Sequence, residues 1–400
     1  MAPWQPDMQI ISFLAPGEPS QQPDLSLLAI RYVRALVNAQ VPVYWQVLAA
    51  PGAAIAFTST LAPRALTAEA VMRISEIDSA LGDLRDLFQA TREPVGGGVT
   101  LAMTAPQWWP ALLAPLQGRR IAYLEPSPFL LAEQIAPYCS YPDEVWLPDE
   151  DLAQPLLRHQ PGLLTKALPP VRRLAVQQDI SVERLAAFRQ MMGVGEKTFV
   201  FYAMLDAHSS ECCADLLRAY SLAFDGETKA DVALVVQCPP EFVDPLRDGA
   251  PMPAVQFVEG LLAGMPSSRG HDRPKIVLLD KNLNSTGRDL LHACGNALLV
   301  PRSGDALGLR AIDAAEVGNE VIGPAGRSLE FLLGTAWQAL AGPHSSAGFV
   351  QALAPAMREV WLRRDGYGGD RDRVQWHVAN ALSEAAFVLR VQGLLGGAEA

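Results

Sequence analysis

The sequence predicts a two-domain α/β protein with a mainly parallel sheet in each domain. The chain has 400 residues, half of them hydrophobic, which suits two packed interiors better than one. Short apolar or β-branched runs alternate with helical stretches, and this alternation is typical of βαβ units. The alternation is interrupted at Leu168–Val176, where paired prolines and paired arginines indicate a linker.

The first half of the chain contains the elements of one such domain. Strands are predicted at Met8–Leu14, Val41–Val47, Val99–Thr104, Arg120–Leu124 and Glu144–Leu147. Helices are predicted at Leu25–Asn38, Ala68–Ala90, Trp108–Leu116, Phe129–Pro137 and Leu152–His159. In the first of these helices the apolar residues recur at helical spacing and form one broad face.

The second half resumes the same alternation after the linker. Strands are predicted at Phe199–Met204, Val232–Gln237, Lys275–Leu279, Ala297–Val300 and Glu320–Gly323. Helices are predicted at Val182–Met192, Ala214–Phe224, Ser285–Cys294, Leu307–Val317 and Leu329–Leu333. Two further helices, Ala347–Arg363 and Arg373–Leu395, are expected to close the chain.

Composition and charge exclude several classes of function. The net charge of −11 argues against a general nucleic-acid binder, which needs a basic surface. No apolar run approaches the roughly 20 residues that span a bilayer, and the N-terminus lacks the basic start of a signal peptide. We therefore expect a cytoplasmic protein with no transmembrane segment, while peripheral membrane contact and the oligomeric state are left open.

Several site motifs are absent. The sequence has no P-loop, no G-x-S-x-G, and no G-x-G-x-x-G after a strand, so a doubly wound NAD enzyme remains only a remote alternative. The five cysteines and six histidines show no metal-ligand spacing. We therefore expect no metal and no cofactor, and thiols that are reduced and mostly buried.

The most informative segment runs from Leu298 to Ile322 and reads as strand, Ser/Gly loop, helix, glycine turn and strand. It resembles the donor-site signature of retaining glycosyltransferases of family 4, with matches at Pro301, Gly304, Gly308, Leu309, Ala314, Ala315, Gly318, Val321 and Ile322. The resemblance implies the GT-B fold, in which two Rossmann-like domains have parallel sheets facing a central cleft. It implies an acceptor-type domain at 1–172, a nucleotide-sugar donor-type domain at 173–370, and a C-terminal helix at 371–400 that packs back on the first domain.

Within this segment the family carries two glutamates eight positions apart, where this chain has Asp305 and Asp313. By resemblance, Asp305 would be the catalytic carboxylate beside the donor sugar, and Asp313 would hold the ribose. Asp305 would stand just before the helix predicted from Leu307, and Asp313 about two turns further on the same face. The alternative is a plain amphipathic helix with one N-terminal acid and one exposed acid. Further donor-binding residues implied by the match are Ser303, Gly304 and Leu309.

The segment Phe199–Phe224 resembles the opening strand and helix of the family's donor domain. Where the family normally carries an Arg-Lys pair that neutralises the donor diphosphate, this chain has Ser210 and Glu211. Glu211 would repel a diphosphate, whereas the hydroxyls of Ser209 and Ser210 could donate hydrogen bonds to it. The alternative is an ordinary helix start with one of the two serines as the N-cap. Gly17 stands where the family has a Gly-rich loop near the donor phosphates.

The segment Arg120–Pro148 looks like the family stretch that ends in D-E-V-W-V-P-S. Glu125, at a predicted strand end, is an acceptor-side candidate, and the alternative is a solvated loop glutamate. Trp108 is a second candidate because an indole can stack on a sugar ring, with core packing of Trp108 and Trp109 as the alternative. The family often has a histidine after the third predicted strand, where this chain has Thr104.

Two functions from different classes follow from these observations. The leading hypothesis is a hexosyltransferase-type enzyme that transfers a sugar from a UDP- or GDP-sugar to an unknown acceptor with retention, without a metal, in polysaccharide or glycoconjugate biosynthesis. The second is an inactive glycosyltransferase-like binding or scaffolding subunit, which the missing basic pair favours. An active enzyme should still bring Arg, Lys or His side chains to the diphosphate position.

Overall fold

The structure, a computed structural model, describes residues 8–14, 23–49, 64–65, 98–125, 132–172, 180–206, 209–225, 231–243, 250–265, 274–281, 283, 285–301, 307–325, 333–334, 337–340, 345–364 and 368–396. The chain divides into two compact units, residues 1–172 with 381–400 and residues 173–380. The polypeptide therefore passes between the units twice, near residue 172 and near residue 380.

The first unit is built on a sheet of seven strands within its described residues. The strands are β1 Met8–Leu14, β2 Val43–Ala49, β3 Arg64–Ala65, β4 Val99–Met103, β5 Arg119–Tyr123, β6 Glu144–Leu147 and β7 Thr165–Ala167. Their order is β3-β2-β1-β4-β5-β6-β7, and all neighbours are parallel except β3, which is antiparallel to β2. The helices are α1 Pro23–Asn38, α2 Trp109–Leu113, α3 Ala132–Ile135 and α4 Gln154–His159.

The core of this unit explains why its strands are visible in the sequence. β4 and β6 are buried at every residue, so apart from Thr100 and Glu144 they read as apolar runs rather than as an alternation. Trp109 and Leu113 of α2 and Leu156 of α4 join these strands in one core cluster. The predicted helix Ala68–Ala90 lies outside the described residues.

Proline accounts for two differences from the predicted helices. The predicted helix Trp108–Leu116 is shorter in the structure, because Pro115 cannot continue α2 beyond Leu113. The described part of the predicted helix Phe129–Pro137 is α3 followed by a 3-10 turn that contains Pro137. β7 was not predicted, since a strand of three residues gives almost no periodic signal.

The second unit is built on a six-stranded parallel sheet and a small hairpin. Its strands are β8 Phe199–Met204, β9 Val232–Cys238, β10 Glu241–Val243, β11 Pro251–Pro253, β12 Lys275–Asp280, β13 Ala297–Leu299, β14 Glu320–Pro324 and β15 Trp337–Leu340. The sheet order is β12-β9-β8-β13-β14-β15, and β10 pairs with β11. The helices are α5 Val182–Met191, α6 Ser210–Phe224, α7 Ala254–Gly264, α8 Ser285–Cys294, α9 Leu309–Glu316, α10 Ser346–Arg363 and α11 Gly368–Ala381.

The core of the second unit lies between its sheet and two long helices. β8 and β9 are buried at every position. Phe201 of β8, Leu217 and Phe224 of α6 and Met357 of α10 belong to one core cluster. The predicted helix Leu329–Leu333 falls mostly on residues 326–332, which are outside the described part of the chain, and β15 was not predicted.

The last predicted helix, Arg373–Leu395, is two helices in the structure. α11 ends at Ala381, and α12 Glu384–Gly396 begins after Ser383, whose hydroxyl accepts a hydrogen bond from the Ala386 amide at 3.1 Å. A serine in this position caps the new helix, which explains the break that helical periodicity alone did not reveal.

α12 lies in the first unit, where it packs against α1. Tyr32 of α1 stacks on Phe387 of α12 with their ring centroids 4.4 Å apart. The buried Tyr32 hydroxyl, whose pKa burial raises well above its ordinary value, donates to the Leu168 carbonyl oxygen at 3.1 Å. The Arg172 amide donates to the Leu382 carbonyl oxygen at 2.9 Å. This hydrogen bond joins the two parts of the chain that make up the first unit.

One described stretch, Asp372–Gly396, is long and apolar enough to span a bilayer by length and composition alone, with a mean hydropathy of 1.2. It consists of parts of the separate helices α11 and α12. Val374 and Val378 are buried in the second unit, and Phe387 and Val391 are buried in the first. These four side chains are buried, and 33% of the most apolar part of the stretch lies inside the protein.

Candidate functional site

In parallel α/β sheets, ligands bind beyond the carboxyl ends of the strands at the point where the strand order reverses. This switch point lies between β1 and β4 in the first unit and between β8 and β13 in the second. The segment Phe199–Phe224 forms β8 and α6, and the segment Leu298–Ile322 contains α9 between β13 and β14. The structure thus brings the two donor-type segments of the sequence to the carboxyl ends of neighbouring strands in one sheet.

The start of α6 lies directly after β8. The Ser209 amide donates to the Asp206 carbonyl oxygen at 3.0 Å, and the Ser209 carbonyl oxygen accepts from the Cys213 amide at 2.9 Å. Ser209 therefore holds the N-cap position, although its hydroxyl makes no capping hydrogen bond. Ser209 and Ser210 are both buried, and Glu211 is exposed in the first turn.

α9 begins at Leu309, two residues later than predicted. Gly308, which precedes it, has a left-handed backbone with φ of 66°, a conformation that favours glycine. The Leu309 side chain is buried, which leaves its backbone amide as the part that can face a donor. Asp313 is half-buried about one turn along α9.

Four predicted site residues lie outside the described part of the chain: Gly17, Ser303, Gly304 and Asp305. Because Asp305 is among them, its expected relation to Asp313 stays a prediction, and the structure shows only that Asp313 lies on α9, which begins at Leu309.

Arg310, in the first turn of α9, is a site residue that sequence reasoning missed. Its Nη1 donates to the carbonyl oxygen of Met204, the last residue of β8, at 2.8 Å. Its Nη2 lies 2.7 Å from a carboxylate oxygen of Asp206. The side chain is only 18% exposed and reaches from the β13 side of the switch point to the end of β8. The signal in the sequence was a basic residue directly after Gly308 and Leu309 of the donor-type signature.

At the switch point of the first unit, β4 is followed by Thr104. Thr104 is 2% exposed, and its hydroxyl has no hydrogen-bond partner within the described structure. Its carbonyl oxygen accepts from Trp109 Nε1 at 3.1 Å. Trp109 is a core residue, whereas Trp108 is half-buried at the end of a 3-10 turn. Glu125 follows β5 and is 8% exposed, so the alternative of a solvated loop glutamate is wrong.

Comparison with solved structures decides the fold. The sucrose-phosphate synthase tll1590 of Thermosynechococcus elongatus superposes with a TM-score of 0.62 at 15% identity, over 98% of this chain and 99% of that one. Anabaena Alr3699/HepE, solved with UDP and glucose, gives 0.60 at 12% identity over 98% and 100%. WaaG, a glycosyltransferase involved in lipopolysaccharide biosynthesis, gives 0.56 at 11% identity over 98% and 100%.

The chain has the GT-B fold. No protein-family model matches the sequence, and no curated protein matches it. At identities of 9 to 15% the likeness to these structures is one of fold.

In this GT-B chain the charge at the second switch point differs from the family pattern. Ser210 and Glu211 stand where the sequence resemblance implies a basic pair, and Arg310 reaches the end of β8 from a different helix. Asp206, itself 44% exposed, pairs with that arginine. The site therefore holds a cation whose charge is balanced by a partly exposed acid.

Metal and thiol chemistry have little support among the described residues. No group of three or more His, Cys, Asp or Glu side chains in that part of the chain could hold a metal ion. All five cysteines are buried and free of disulfides. Burial raises the pKa of Cys139 to about 11 and that of Cys238 to about 12, so both thiols stay protonated near neutral pH.

We expect Thr104→Val to stabilise the protein by about 1 kcal/mol, because valine keeps the shape of threonine and removes a buried hydroxyl without a partner. Guanidinium unfolding followed by circular dichroism measures the change. Thr165→Val, at a half-buried position of β7, is the control and should change stability by less than about 0.5 kcal/mol. A clear loss of stability in Thr104→Val would show that the hydroxyl is bonded after all.

Proposed function

We propose that the chain is a glycosyltransferase that binds a UDP- or GDP-sugar at the switch point of its second unit and transfers the sugar to an acceptor with retention. One observation carries this proposal. The donor-type segment folds as β13, a left-handed Gly308, α9 and β14, so α9, the helix that carries Asp313, follows the carboxyl end of β13, where ligands of such sheets bind. The solved neighbours add support. Alr3699/HepE was solved with UDP and glucose, and its match to this chain covers the whole of the Alr3699/HepE chain.

The donor would be held mainly by backbone groups and a few side chains. Asp313 is half-buried, and a carboxylate can accept two hydrogen bonds from the two ribose hydroxyls. Leu309 would contribute its backbone amide at the start of α9, and Ser209 and Ser210 would line the start of α6. On sequence grounds Asp305 remains the proposed catalytic carboxylate. Further proposed donor contacts on the same grounds are Gly17, Ser303 and Gly304.

The acceptor side is proposed at the carboxyl ends of β4 and β5 in the first unit. Glu125 is a buried residue two positions after the end of β5, and a carboxylate in this position could accept a hydrogen bond from an acceptor hydroxyl. Trp108 offers a half-buried indole near the end of β4, which suits stacking on a sugar ring. We propose a cytoplasmic enzyme without a metal, in which amides and cationic side chains balance the charge of the leaving diphosphate.

The second candidate is a glycosyltransferase-like subunit that binds but does not catalyse. Asp206 pairs with Arg310, and Glu211 is exposed at the start of α6, so two acids lie at the ends of the elements proposed to bind a donor diphosphate. Nucleotide binding without turnover of any donor is the result that would favour this candidate.

The test is calorimetric titration of UDP, GDP and a panel of their sugars into the full chain, followed by an assay for release of the nucleoside diphosphate. We expect one nucleotide to bind, and Asp313→Ala to weaken it at least about tenfold, since hydrogen bonds to a charged group contribute about 1.5–3 kcal/mol. Asp231→Ala removes an exposed acid just before β9, at the amino ends of the strands of the same sheet, and should leave the affinity for the nucleotide unchanged. A folded protein that binds none of these nucleotides would contradict the proposal.

A further inference from the structure

Arg310 connects three parts of the second switch point through hydrogen bonds. It belongs to α9, and its guanidinium lies at the end of β8, bound to the carbonyl oxygen of Met204 and to the carboxylate of Asp206. The carbonyl oxygen of Asp206 in turn accepts from the Ser209 amide at the start of α6. A single residue, Asp206, therefore stands between the guanidinium and the first turn of α6.

We propose that Arg310 is the cation that binds the diphosphate of the nucleotide-sugar in this chain, in place of the absent basic pair at Ser210 and Glu211; this inference rests on the proposed function. A diphosphate carries about two negative charges, and Glu211 adds to them, so a binding site here requires a positive group. A guanidinium has five N–H donors, so one of its nitrogens can stay bound to the protein while another contacts a phosphate oxygen.

The ion pair with Asp206 is compatible with this role because its two ends differ in exposure. The arginine side chain is 18% exposed and the aspartate side chain is 44% exposed. The Met204 carbonyl oxygen anchors Nη1 from the strand end, whereas Nη2 faces an acid that can turn towards solvent. A diphosphate would replace the Asp206 carboxylate on Nη2 while the anchor of Nη1 stays in place.

The test compares a nucleoside diphosphate with its nucleoside, because only the former carries the phosphates. UDP and GDP are titrated by calorimetry, and uridine and guanosine by saturation-transfer NMR, into the full chain and its variants. We expect Arg310→Gln to weaken binding of the diphosphate about 10- to 100-fold and binding of the nucleoside less than about twofold, as loss of a charge-assisted contact predicts. Arg310→Lys should restore part of the lost affinity, since it returns the charge without a second nitrogen that stays bound to the Met204 carbonyl oxygen.

Two variants complete the design. Asp206→Asn keeps an acceptor for Nη2 and removes the competing charge, so the diphosphate should bind about threefold or more tightly. Arg363→Gln removes an exposed arginine that pairs with Glu320 at the amino end of β14. It should change neither the affinity for the nucleoside diphosphate nor that for the nucleoside.

The outcomes separate this inference from the proposed function. A wild-type chain that binds neither UDP nor GDP overturns both. A wild-type chain that binds UDP or GDP, with Arg310→Gln binding equally well, overturns only the role of Arg310. Equal losses of diphosphate and nucleoside binding in Arg310→Gln also overturn it, because they show that the arginine only supports the fold of the site.

Discussion

Gly295→Ala is expected to destabilise the protein by about 3 kcal/mol or more, because a methyl group there has no space and the ring it meets cannot yield. A Cβ on Gly295 would overlap the ring of Tyr202 at Cδ1 and Cε1. Tyr202 is fully buried, its hydroxyl is 2.8 Å from His292 Nδ1, and it accepts from Asn319 Nδ2 at 3.0 Å. Moving the ring would break hydrogen bonds in a buried network, where unsatisfied groups are costly.

Urea unfolding of Gly295→Ala beside the wild type measures this effect. Gly260→Ala is the matched control, since Gly260 is exposed inside α7 and a Cβ there meets nothing within 4 Å. That substitution should stabilise the protein by about 0.5–1 kcal/mol through helix propensity. A Gly295→Ala protein as stable as the wild type would mean that Tyr202 is not held as the structure shows.

Glu144→Ala has the second-largest expected effect, a loss of about 3 kcal/mol, because it leaves partly buried cations without their counter-charge. The buried carboxylate of Glu144 pairs with Arg119 and lies 3.2 Å from Lys166 Nζ, and it accepts from Trp146 Nε1 at 2.9 Å. Arg119 and Lys166 also donate to the carbonyl oxygen of Leu394 at 3.0 and 2.9 Å. The same cluster therefore holds the C-terminal end of α12 on the first unit.

The control for this prediction is the neighbouring acid. Asp143 pairs with Arg120 at 2.6 Å, but its side chain is 41% exposed, so Asp143→Ala should cost less than about 1 kcal/mol. The hydrogen bond from Arg120 holds the pKa of Asp143 below its usual value, so this small contribution is present at neutral pH and is lost as the pH falls through that lowered pKa. Equal losses in Glu144→Ala and Asp143→Ala would contradict the burial of the Glu144 cluster.

The sequence predicts the long buried strands well and the local turns poorly, for physical reasons. β8 and β9 are covered on both faces, so they stand out as apolar runs without any knowledge of their neighbours. The break at Ser383 and the late start of α9 after Gly308 depend on a cap and on one backbone angle, which hydrophobic periodicity does not report. The three-residue strand β7 is too short for any periodicity.

The candidate site was only partly visible for a related reason. The donor-type signature identifies the loop and helix around Asp313, because glycines and an acid recur there at fixed spacing. The role of Arg310 depends on contacts with Met204 and Asp206, more than 100 positions away in the chain. Likewise, Glu144 matches a family motif in sequence, but its cluster is assembled by Lys166 and by the end of α12, which no local pattern specifies.

Hydrogen–deuterium exchange of the full chain with and without saturating UDP or GDP tests the central claim most directly, because it shows where a nucleotide binds without assuming any residue. The proposed donor site predicts protection in two groups of peptides, those covering residues 199–213 and those covering residues 298–316. Peptides over residues 182–198, which cover α5 and lead into the amino end of β8, should show unchanged exchange. Protection confined to the first unit, or none with either nucleotide, would contradict the account.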